Sequence, residues 1–241
     1  MLQGDDRKAH RVALDHIEAS LLNGKYKVGA KLPPERDLAK ELGVSRGAVR
    51  EAIRVLQAQG ILESHPGPGR GTRIIAGHTA ALGRLFRLHL ALSSTSALDL
   101  TDTRVALERS TATLASRHWD DEALNKLGDL VDRMDRETTL DEFNTLDTDF
   151  HVEIALTAHN PFIGDLSSAI RQAMRAPIRD ASMAVDDWQA LRNTLCKQHR
   201  QIFEAIEKRD GDLAAALMEE HIRTAYQALK PVSYTHLTLP T

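Results

Sequence analysis

The stretch from Leu32 to Gly71, LPPERDLAKELGVSRGAVREAIRVLQAQGILESHPGPGRG, predicts a helix–turn–helix followed by a glycine-rich hairpin. Pro34 suits the first position of a helix, where its missing N–H is not needed. Gly43 can end that helix at little cost because glycine accepts a positive φ. Ser45 is a typical N-cap for the next helix. Two short helices are therefore expected on either side of a turn that contains Val44.

The second of these helices has two chemically different faces. Arg46, Arg50 and Arg54 follow one another at intervals of four on one side. The apolar residues fall at helical spacing on the other side, and they are Ala48, Val49, Ala52, Ile53 and Leu56. A recognition helix needs both faces, because its apolar side packs and its cationic side enters the major groove. The pattern predicts duplex DNA as a partner, although any one such helix taken alone could be an ordinary amphipathic surface helix.

The residues after this helix predict the wing of a winged helix. Gly60 ends the helix, and Ile61–Glu63 and Arg73–Ile75 are typical of two short strands. Between them, Pro66–Thr72 contains several glycines, which allow the backbone to lie close to phosphate or the minor groove. The motif is therefore expected to contact DNA through both the second helix and the wing.

Charge is unevenly divided along the 241 residues, although the whole chain is close to neutral at −3. Residues 1–75 contain 13 Lys/Arg and 9 Asp/Glu, a balance of +4, and the remainder contains 18 and 25, a balance of −7. A basic part joined to an acidic part favours a DNA-binding domain followed by a domain with another task.

Cysteine count and hydropathy exclude several other classes of protein. Cys196 is the only cysteine, so an internal disulfide and a cysteine-rich zinc site are excluded. No apolar run approaches 18 residues, and the first ten residues lack the apolar core of a signal peptide. A soluble, cytoplasmic protein is therefore expected.

The fold class predicted for the whole chain is mostly α. Residues 1–75 are expected to form a winged helix–turn–helix domain, which includes a first helix over Asp6–Leu22. Residues 76–96 are expected to form a linker with a short helix, and 97–230 an all-α antiparallel helical bundle. The bundle helices are predicted over Leu98–His118, Asp120–Thr138, Leu140–Ala158, Pro161–Met183, Asp186–Lys208 and Asp210–Leu229. Residues 231–241 have no helical period and are interpreted as a disordered or non-native tail.

Four side chains of the bundle are of the types that bind metals. Asp147 and His151 are four residues apart, so they share a face of one helix. His199 and His221 each lie among apolar residues on separate helices. Three imidazoles and one carboxylate from three helices match the ligands of a divalent transition metal inside a bundle. Judged by spacing alone, each of the three histidines is more often an ordinary core or surface residue, and that alternative stays open.

Both halves of the chain resemble one known family. The N-terminal half is similar to the winged helix of the GntR superfamily, and the motifs that carry this likeness are Leu32–Arg36, Leu42–Arg46, Val49–Ala52 and Leu56–Leu62. The helical remainder resembles the FadR-type effector domain, called FCD. Its motifs here are Arg104-x3-Glu108, Asp147-x2-Phe150-His151, Asn160-Pro161, and the distant His199 and His221. The resemblance extends from residue 7 to residue 229.

This resemblance implies roles for individual residues. The implied DNA contacts are Arg36, Ser45, Arg46, Arg50 and Gly67. The implied ligands of a divalent transition metal are Asp147, His151, His199 and His221, with zinc as the first choice and nickel or manganese as alternatives. Open positions on the metal would take water or a small carboxylate effector, lactate among them. Arg104 would pair with that carboxylate, and the alternative for Arg104 is a plain salt bridge to Glu108.

The function implied is that of a ligand-responsive transcription regulator, in this family most often a repressor, and not an enzyme. A homodimer reading a palindromic operator is expected, because one winged helix reads only a short half-site. Two alternatives stay open. A metalloenzyme with a DNA-binding appendage would use the metal to activate water, although no acid–base partner motif accompanies the ligands. A constitutive DNA binder would keep the metal for stability alone.

Overall fold

A computed structural model describes residues 2–65, 67, 71–76, 79–93, 95–136 and 139–229. The chain divides into two units, Met1–Ala81 and Leu82–Thr241. The elements within the described ranges are α1 (Leu2–Leu22), α2 (Glu35–Leu42), α3 (Arg46–Ala58), β1 (Leu62–His65), β2 (Gly71–Ile74), α4 (Thr79–Leu92), α5 (Ala97–His118), α6 (Asp121–Asp135), α7 (Leu140–Thr157), α8 (Pro161–Met183), α9 (Trp188–Glu207) and α10 (Gly211–Ala228). The mostly α fold class is confirmed.

In the first unit, α2 and α3 form the predicted helix–turn–helix. Gly43 follows α2 with a φ of 65°, the left-handed conformation that glycine adopts without strain. The Ser45 hydroxyl accepts a hydrogen bond from the Ala48 N–H at 3.1 Å and so caps α3. Val44, expected to be buried in the turn, is only partly buried. The apolar face of α3 packs in a core with α1 and α2, whose fully buried members include Ala13, Ile17, Leu38, Val49, Ala52 and Leu56.

The wing is an antiparallel pair, β1–β2, in which Leu62 lies opposite Ile74. A segment before α2 extends this sheet, because the Leu32 N–H donates to the Thr72 carbonyl at 2.9 Å and the Ile74 N–H to the Ala30 carbonyl at 3.0 Å. No strand was predicted for this segment from the sequence. Most of the predicted wing tip, residues 66 and 68–70, lies outside the described residues.

The second unit is built from long helices whose ends agree closely with the sequence. The helix over Pro161–Met183 begins and ends as predicted, and the other five bundle helices differ by no more than two residues at the ends that can be compared. The predicted end at Thr138 lies outside the described residues. Two predicted starts, Asp120 and Asp210, were one residue early because the N-cap was counted as helix. The side chains that cap α6 to α10 in this way, each accepting a backbone N–H, are those of Asp120, Thr139, Asn160, Asp187 and Asp210.

Helices α7 and α8 of this unit pack closely against each other. A Cβ added to Gly164 would lie only 2.9 Å from the Ala155 carbonyl oxygen, so these helices approach more closely than a side chain would allow. The apolar core around them includes the fully buried Phe150, Ile154, Ile202, Ile206, Met218 and Ile222. Among the described helices, none has the length and apolar character needed to cross a membrane. The predicted tail, 231–241, lies outside the described residues.

Candidate functional site

The four candidate metal ligands, which are far apart in sequence, lie together inside the second unit. One ligand atom from each of Asp147, His151, His199 and His221 lies within 4.8 Å of all the others, and all four residues are buried. Asp147 Oδ1 lies 3.2 Å from Nε2 of His199. The same oxygen lies 3.7 Å from Nε2 of His151 and 3.9 Å from Nε2 of His221. Donors bound at about 2.0–2.1 Å in a tetrahedral shell are about 3.3–3.4 Å apart, so this group has the dimensions of a coordination shell.

Neighbouring side chains determine which ring nitrogen two of the histidines turn inward. His151 Nδ1 lies 2.5 Å from Glu108 Oε2, and His221 Nδ1 lies 3.3 Å from Gln198 Oε1. Both oxygens are acceptors, so they favour a proton on each Nδ1, which leaves the lone pair of each Nε2 directed inward. The two Nε2 atoms face each other at 3.2 Å. A cation between them satisfies both lone pairs.

His199 adds a buried nitrogen without a well-directed partner. Its side chain is fully buried, and neither ring nitrogen makes a hydrogen bond to the described residues, although Nε2 lies beside Asp147. Buried polar atoms without a partner are rare in proteins and call for an explanation such as a bound ion. The donor chemistry and the unsatisfied nitrogen both fit a metal ion at this position.

The environment keeps two imidazoles in the form that binds metals. Burial, together with the charge of Arg171, lowers the pKa of His151 to about 4. Burial also lowers the pKa of His221 well below its usual value, with the neighbouring His199 and His151 adding to the effect. Both rings are therefore neutral near pH 7, which is the state in which a histidine coordinates a metal.

The two buried carboxylates are ionised because neighbouring side chains lower their pKa values by more than burial raises them. Burial alone would raise the pKa of Asp147, but Arg171, followed by the histidines, holds it well below its usual value. Burial would likewise raise the pKa of Glu108, and Arg104, followed by His151 and Arg171, lowers it well below the usual range. The arginines thus maintain Asp147 as a charged ligand and Glu108 as the acceptor for His151.

Arg171 is the main residue of the site that the sequence did not single out. It is buried on α8, and its Nη2 donates to Asp147 Oδ2. Its Nε has no hydrogen-bond partner among the described residues. A charged residue within the buried face of α8, between Ser167 and Met174, was the available signal. Gln198 was also missed, because nothing in the sequence pairs it with His221.

Arg104 has the salt bridge that was considered as its alternative role. Its Nε donates to Glu108 Oε1 at 2.8 Å, and both side chains are buried. Within the described part of the chain, neither Nη atom of Arg104 has a hydrogen-bond partner. The salt bridge therefore leaves part of the guanidinium able to donate to a ligand.

A cavity opens beside the four-residue group. Its lining includes Arg104, Asp147, Arg171 and His221, so both arginines and two of the candidate metal ligands face the same space. The second unit can therefore accept an organic ligand next to the candidate metal position.

The residues predicted to contact DNA lie in the first unit, and three of them already have local partners. Arg50 donates from Nε and Nη2 to the Glu35 carboxylate, with the Nη2 contact at 2.7 Å. Arg36 pairs with the adjacent Asp37 at 3.1 Å, while Ser45 caps α3 as described above. The remaining two predicted contacts are Arg46, which is exposed, and Gly67, whose φ is 125°. These arginines are on the surface, where a duplex could reach them.

A winged helix joined to a helical unit whose cavity carries charged groups at one end defines a class of two-part DNA-binding regulators. The chain belongs to the FCD domain family, whose model matches residues 99–224, a little over half of the chain. Residues 9–74 match the model of bacterial regulatory proteins of the gntR family. Proteins of this family bind operator DNA, typically as dimers.

Individual relatives match nearly the whole chain. The Glc operon transcriptional activator of Escherichia coli strain K12 is 27% identical over 242 residues, covering 96% of this chain and 92% of its own. The Galactonate operon transcriptional repressor of the same strain is 29% identical over 239 residues, covering 94% and 98%. The solved structure of Streptococcus agalactiae GntR matches with a TM-score of 0.65 and 27% identity, covering 89% of this chain and 97% of that one.

These comparisons place the chain among transcription regulators, not enzymes. The predicted winged helix and FCD-like bundle are confirmed by the two family matches. The relatives include both an activator and a repressor. The direction of regulation is therefore not decided by family membership.

Proposed function

We propose that this regulator binds a small carboxylate at a metal site in its second unit, and that this binding changes its affinity for a palindromic operator. The observation that carries the proposal is the pair of inward-facing Nε2 atoms of His151 and His221, 3.2 Å apart beside a cavity that Arg104 and Arg171 also line. The donor set of Asp147 and three histidines suits zinc, and it also suits nickel or manganese with more open positions. A bound metal would supply a Lewis-acidic anchor for an oxygen ligand.

The charge balance of the interior favours an anion once a divalent metal is present. Arg104 and Arg171 carry two positive charges, and Glu108 and Asp147 carry two negative charges. The two histidines with lowered pKa values are neutral near pH 7. A divalent ion would therefore leave an uncompensated positive charge in a buried space, where charge is costly unless it is paired. A carboxylate ligand would offset that charge.

Arg104 is proposed to hold the carboxylate together with the metal. Its Nη atoms have no partners among the described residues, although Nε is held by Glu108. Arginine donates well to a carboxylate because its N–H groups match the two oxygens in geometry. An acid ligand also agrees with the name of one relative, the Galactonate operon transcriptional repressor, because galactonate is a carboxylate. Lactate, expected from the resemblance, has the same head group.

DNA recognition is assigned to α3 and its surroundings. Arg46 and Arg50 are proposed to contact the major groove and Arg36 the adjacent backbone, with Ser45 and Gly67 near phosphates. One α3 spans only a short half-site, so a homodimer on a palindrome is proposed. Ligand binding changes DNA affinity only if the ligand favours one of two states of the dimer. Repression released by the ligand is the form of regulation proposed.

Metal content provides the first test of the site. Elemental analysis of the purified full-length protein is expected to give one divalent transition metal per chain, and His199→Ala should lose it while the first unit stays folded. His118→Ala removes an exposed histidine and serves as the matched control. Stoichiometric metal in the His199→Ala protein would disprove the proposed ligand set.

A constitutive DNA binder with a structural metal gives a different pattern of results. In that case chelation lowers the melting temperature of the protein, and organic acids leave operator binding unchanged. A sensor requires both the stability effect and an effect of the acid on operator affinity.

A further inference from the structure

The cavity beside the candidate metal position runs from a charged inner end to an outer end near the ends of several helices. The inner end is lined by His221 of α10 and Arg171 of α8. The outer end is lined by Leu229, which directly follows α10, and by Ala181 of α8. Intervals of about 8 and 10 helical residues correspond to about 12 and 15 Å. The space is thus long enough for a molecule several bonds longer than a three-carbon acid.

Most of the outer wall is apolar. Of the nineteen residues that line the cavity, eleven are apolar. Four of them follow each other on one face of α8 at helical spacing, and they are Met174, Pro177, Ile178 and Ala181. Across the cavity, the first half of α9 contributes Trp188, Leu191 and Leu195. The charged groups are confined to the end where the candidate metal ligands lie.

Apart from His221, the wall contains four uncharged polar side chains, and three of them hydrogen-bond to their own helices; the fourth is Tyr226. The Thr101 hydroxyl donates to the Ala97 carbonyl at 2.7 Å, and the Ser182 hydroxyl donates to the Ile178 carbonyl at 2.8 Å. The Asn144 amide nitrogen donates to the Leu140 carbonyl at 3.0 Å. The two hydroxyl protons are therefore not available to a ligand, whereas the second N–H of the Asn144 amide is. A polyhydroxylated acid would find few partners along this wall.

We propose that the effector is an amphipathic carboxylic acid whose apolar body occupies the outer part of the cavity. This inference rests on the proposed function, because the inner anchor for its carboxylate is the metal with Arg104. A two- or three-carbon acid anchored at the inner end would leave the apolar outer part of the cavity to water. Water needs two to four polar partners to be well held, and the apolar wall offers few. An alkyl or aromatic body would displace that water and bury its own surface.

Ligand length is the decisive variable in the test. The metal-loaded full-length protein is titrated by calorimetry with acetate, lactate, butanoate, hexanoate and octanoate. Affinity is expected to rise about fourfold per added methylene, the equivalent of about 0.8 kcal/mol, until the cavity is filled. Hexanamide, which has the same body without a charge, is expected to bind at least about tenfold more weakly than hexanoate.

Two substitutions on α8 locate the apolar body. Ala181→Phe fills the outer part of the cavity, so the ratio of octanoate affinity to acetate affinity should fall toward one. Ala176→Phe adds the same ring at an exposed position of the same helix, and the ratio should stay as in the unaltered protein. Ile178→Ala removes apolar wall without adding bulk, and it should lower octanoate affinity more than acetate affinity.

The possible outcomes separate this inference from the proposed function. The inference of an amphipathic ligand would be wrong if acetate and octanoate bind with equal affinity. It would also be wrong if the ratio of octanoate to acetate affinity is unchanged in both Ala181→Phe and Ile178→Ala. In either case the proposed carboxylate sensor would still stand. Failure of every acid to bind, or binding that survives both chelation and His199→Ala, would overturn the proposed function itself. Chain-length dependence that disappears in Ala181→Phe supports both.

Discussion

His151 on α7 and His221 on α10 turn their Nε2 atoms toward each other at 3.2 Å. Nδ1 of His151 faces the carboxylate of Glu108, and Nδ1 of His221 faces the amide oxygen of Gln198. Two imidazoles held with lone pairs inward cannot hydrogen-bond to each other unless one of them changes tautomer. This pair therefore has the arrangement of two metal ligands with their supporting groups already in place.

The support given to His221 can be tested without touching a ligand. Gln198→Leu removes the acceptor of His221 Nδ1 at nearly constant size, so metal affinity is expected to fall about 10–100-fold. Competition with a chelator of known affinity measures this. Gln201→Leu, an exposed neighbour on α9, should leave the affinity as it was. Equal metal affinity in both variants and the unaltered protein would show that Gln198 does not orient His221.

Acid should destabilise the metal-free second unit. The pKa of His151 in the folded state is about 4, compared with an ordinary value of 6.5. Between these values the unfolded chain binds more protons, so the free energy of unfolding falls as pH falls from about 6.5 to 4. The loss from this residue is on the order of 3 kcal/mol. His221, whose pKa is also lowered by burial, acts in the same direction.

Urea unfolding of the chelated protein at pH 7, 6 and 5 measures this trend. The lowered pKa values of Asp147 and Glu108 add a further loss at lower pH, since these carboxylates must be protonated there. If the free energy of unfolding of the second unit is the same at pH 5 as at pH 7, these histidines are not buried in their neutral form.

Arg50 should matter to DNA binding more than another exposed arginine does. Arg50→Ala is expected to weaken operator binding by about 1–3 kcal/mol if its guanidinium reads a base. Arg11→Ala removes the same charge from α1, outside the helix–turn–helix, and should have a smaller effect. Binding of labelled duplexes at one fixed salt concentration compares them. Equal losses from both variants would point to nonspecific attraction in place of a contact by Arg50.

Replacement by alanine is expected to have opposite effects on stability at two glycines near the turn. Gly43 has a φ of 65°, so Gly43→Ala forces an L-residue into the left-handed region and should cost about 1–2 kcal/mol. Gly47 lies inside α3, and an added Cβ there would meet only the Ser45 hydroxyl oxygen at 3.7 Å. Gly47→Ala should therefore stabilise the first unit by about 0.5–1 kcal/mol. Thermal unfolding that shifts in the same direction for both variants would contradict the assigned turn.

Local signals explain why the helices could be predicted from the sequence. Ser45 and Gly43 determine a boundary within a few residues of themselves, and periodic apolar residues show which face packs. The strand-like segment before α2 was missed because its partner, Thr72, lies 40 residues further along the chain. Its pairing depends on tertiary structure and leaves no local pattern.

The site was predictable only in part for the same reason. Asp147 and His151 share a helix face, so their proximity follows from spacing. His199 and His221 were singled out as histidines among apolar residues, and the resemblance supported grouping them with that pair. The contact of Arg171 with Asp147 depends on how closely α7 and α8 pack, which Gly164 permits. No spacing rule predicts a contact of that kind, and the apolar outer wall of the cavity is likewise a product of several helices.

Operator affinity measured during titration with an acid tests the proposed sensor most directly. The metal-loaded full-length protein is bound to a palindromic operator selected from random duplexes, and the tightest-binding carboxylate is then added. Operator affinity is expected to change at least about fivefold, and the change should vanish after chelation and in Asp147→Asn. Operator affinity that is the same with and without the acid, in protein shown to contain the metal, would contradict the proposal of a carboxylate-responsive regulator.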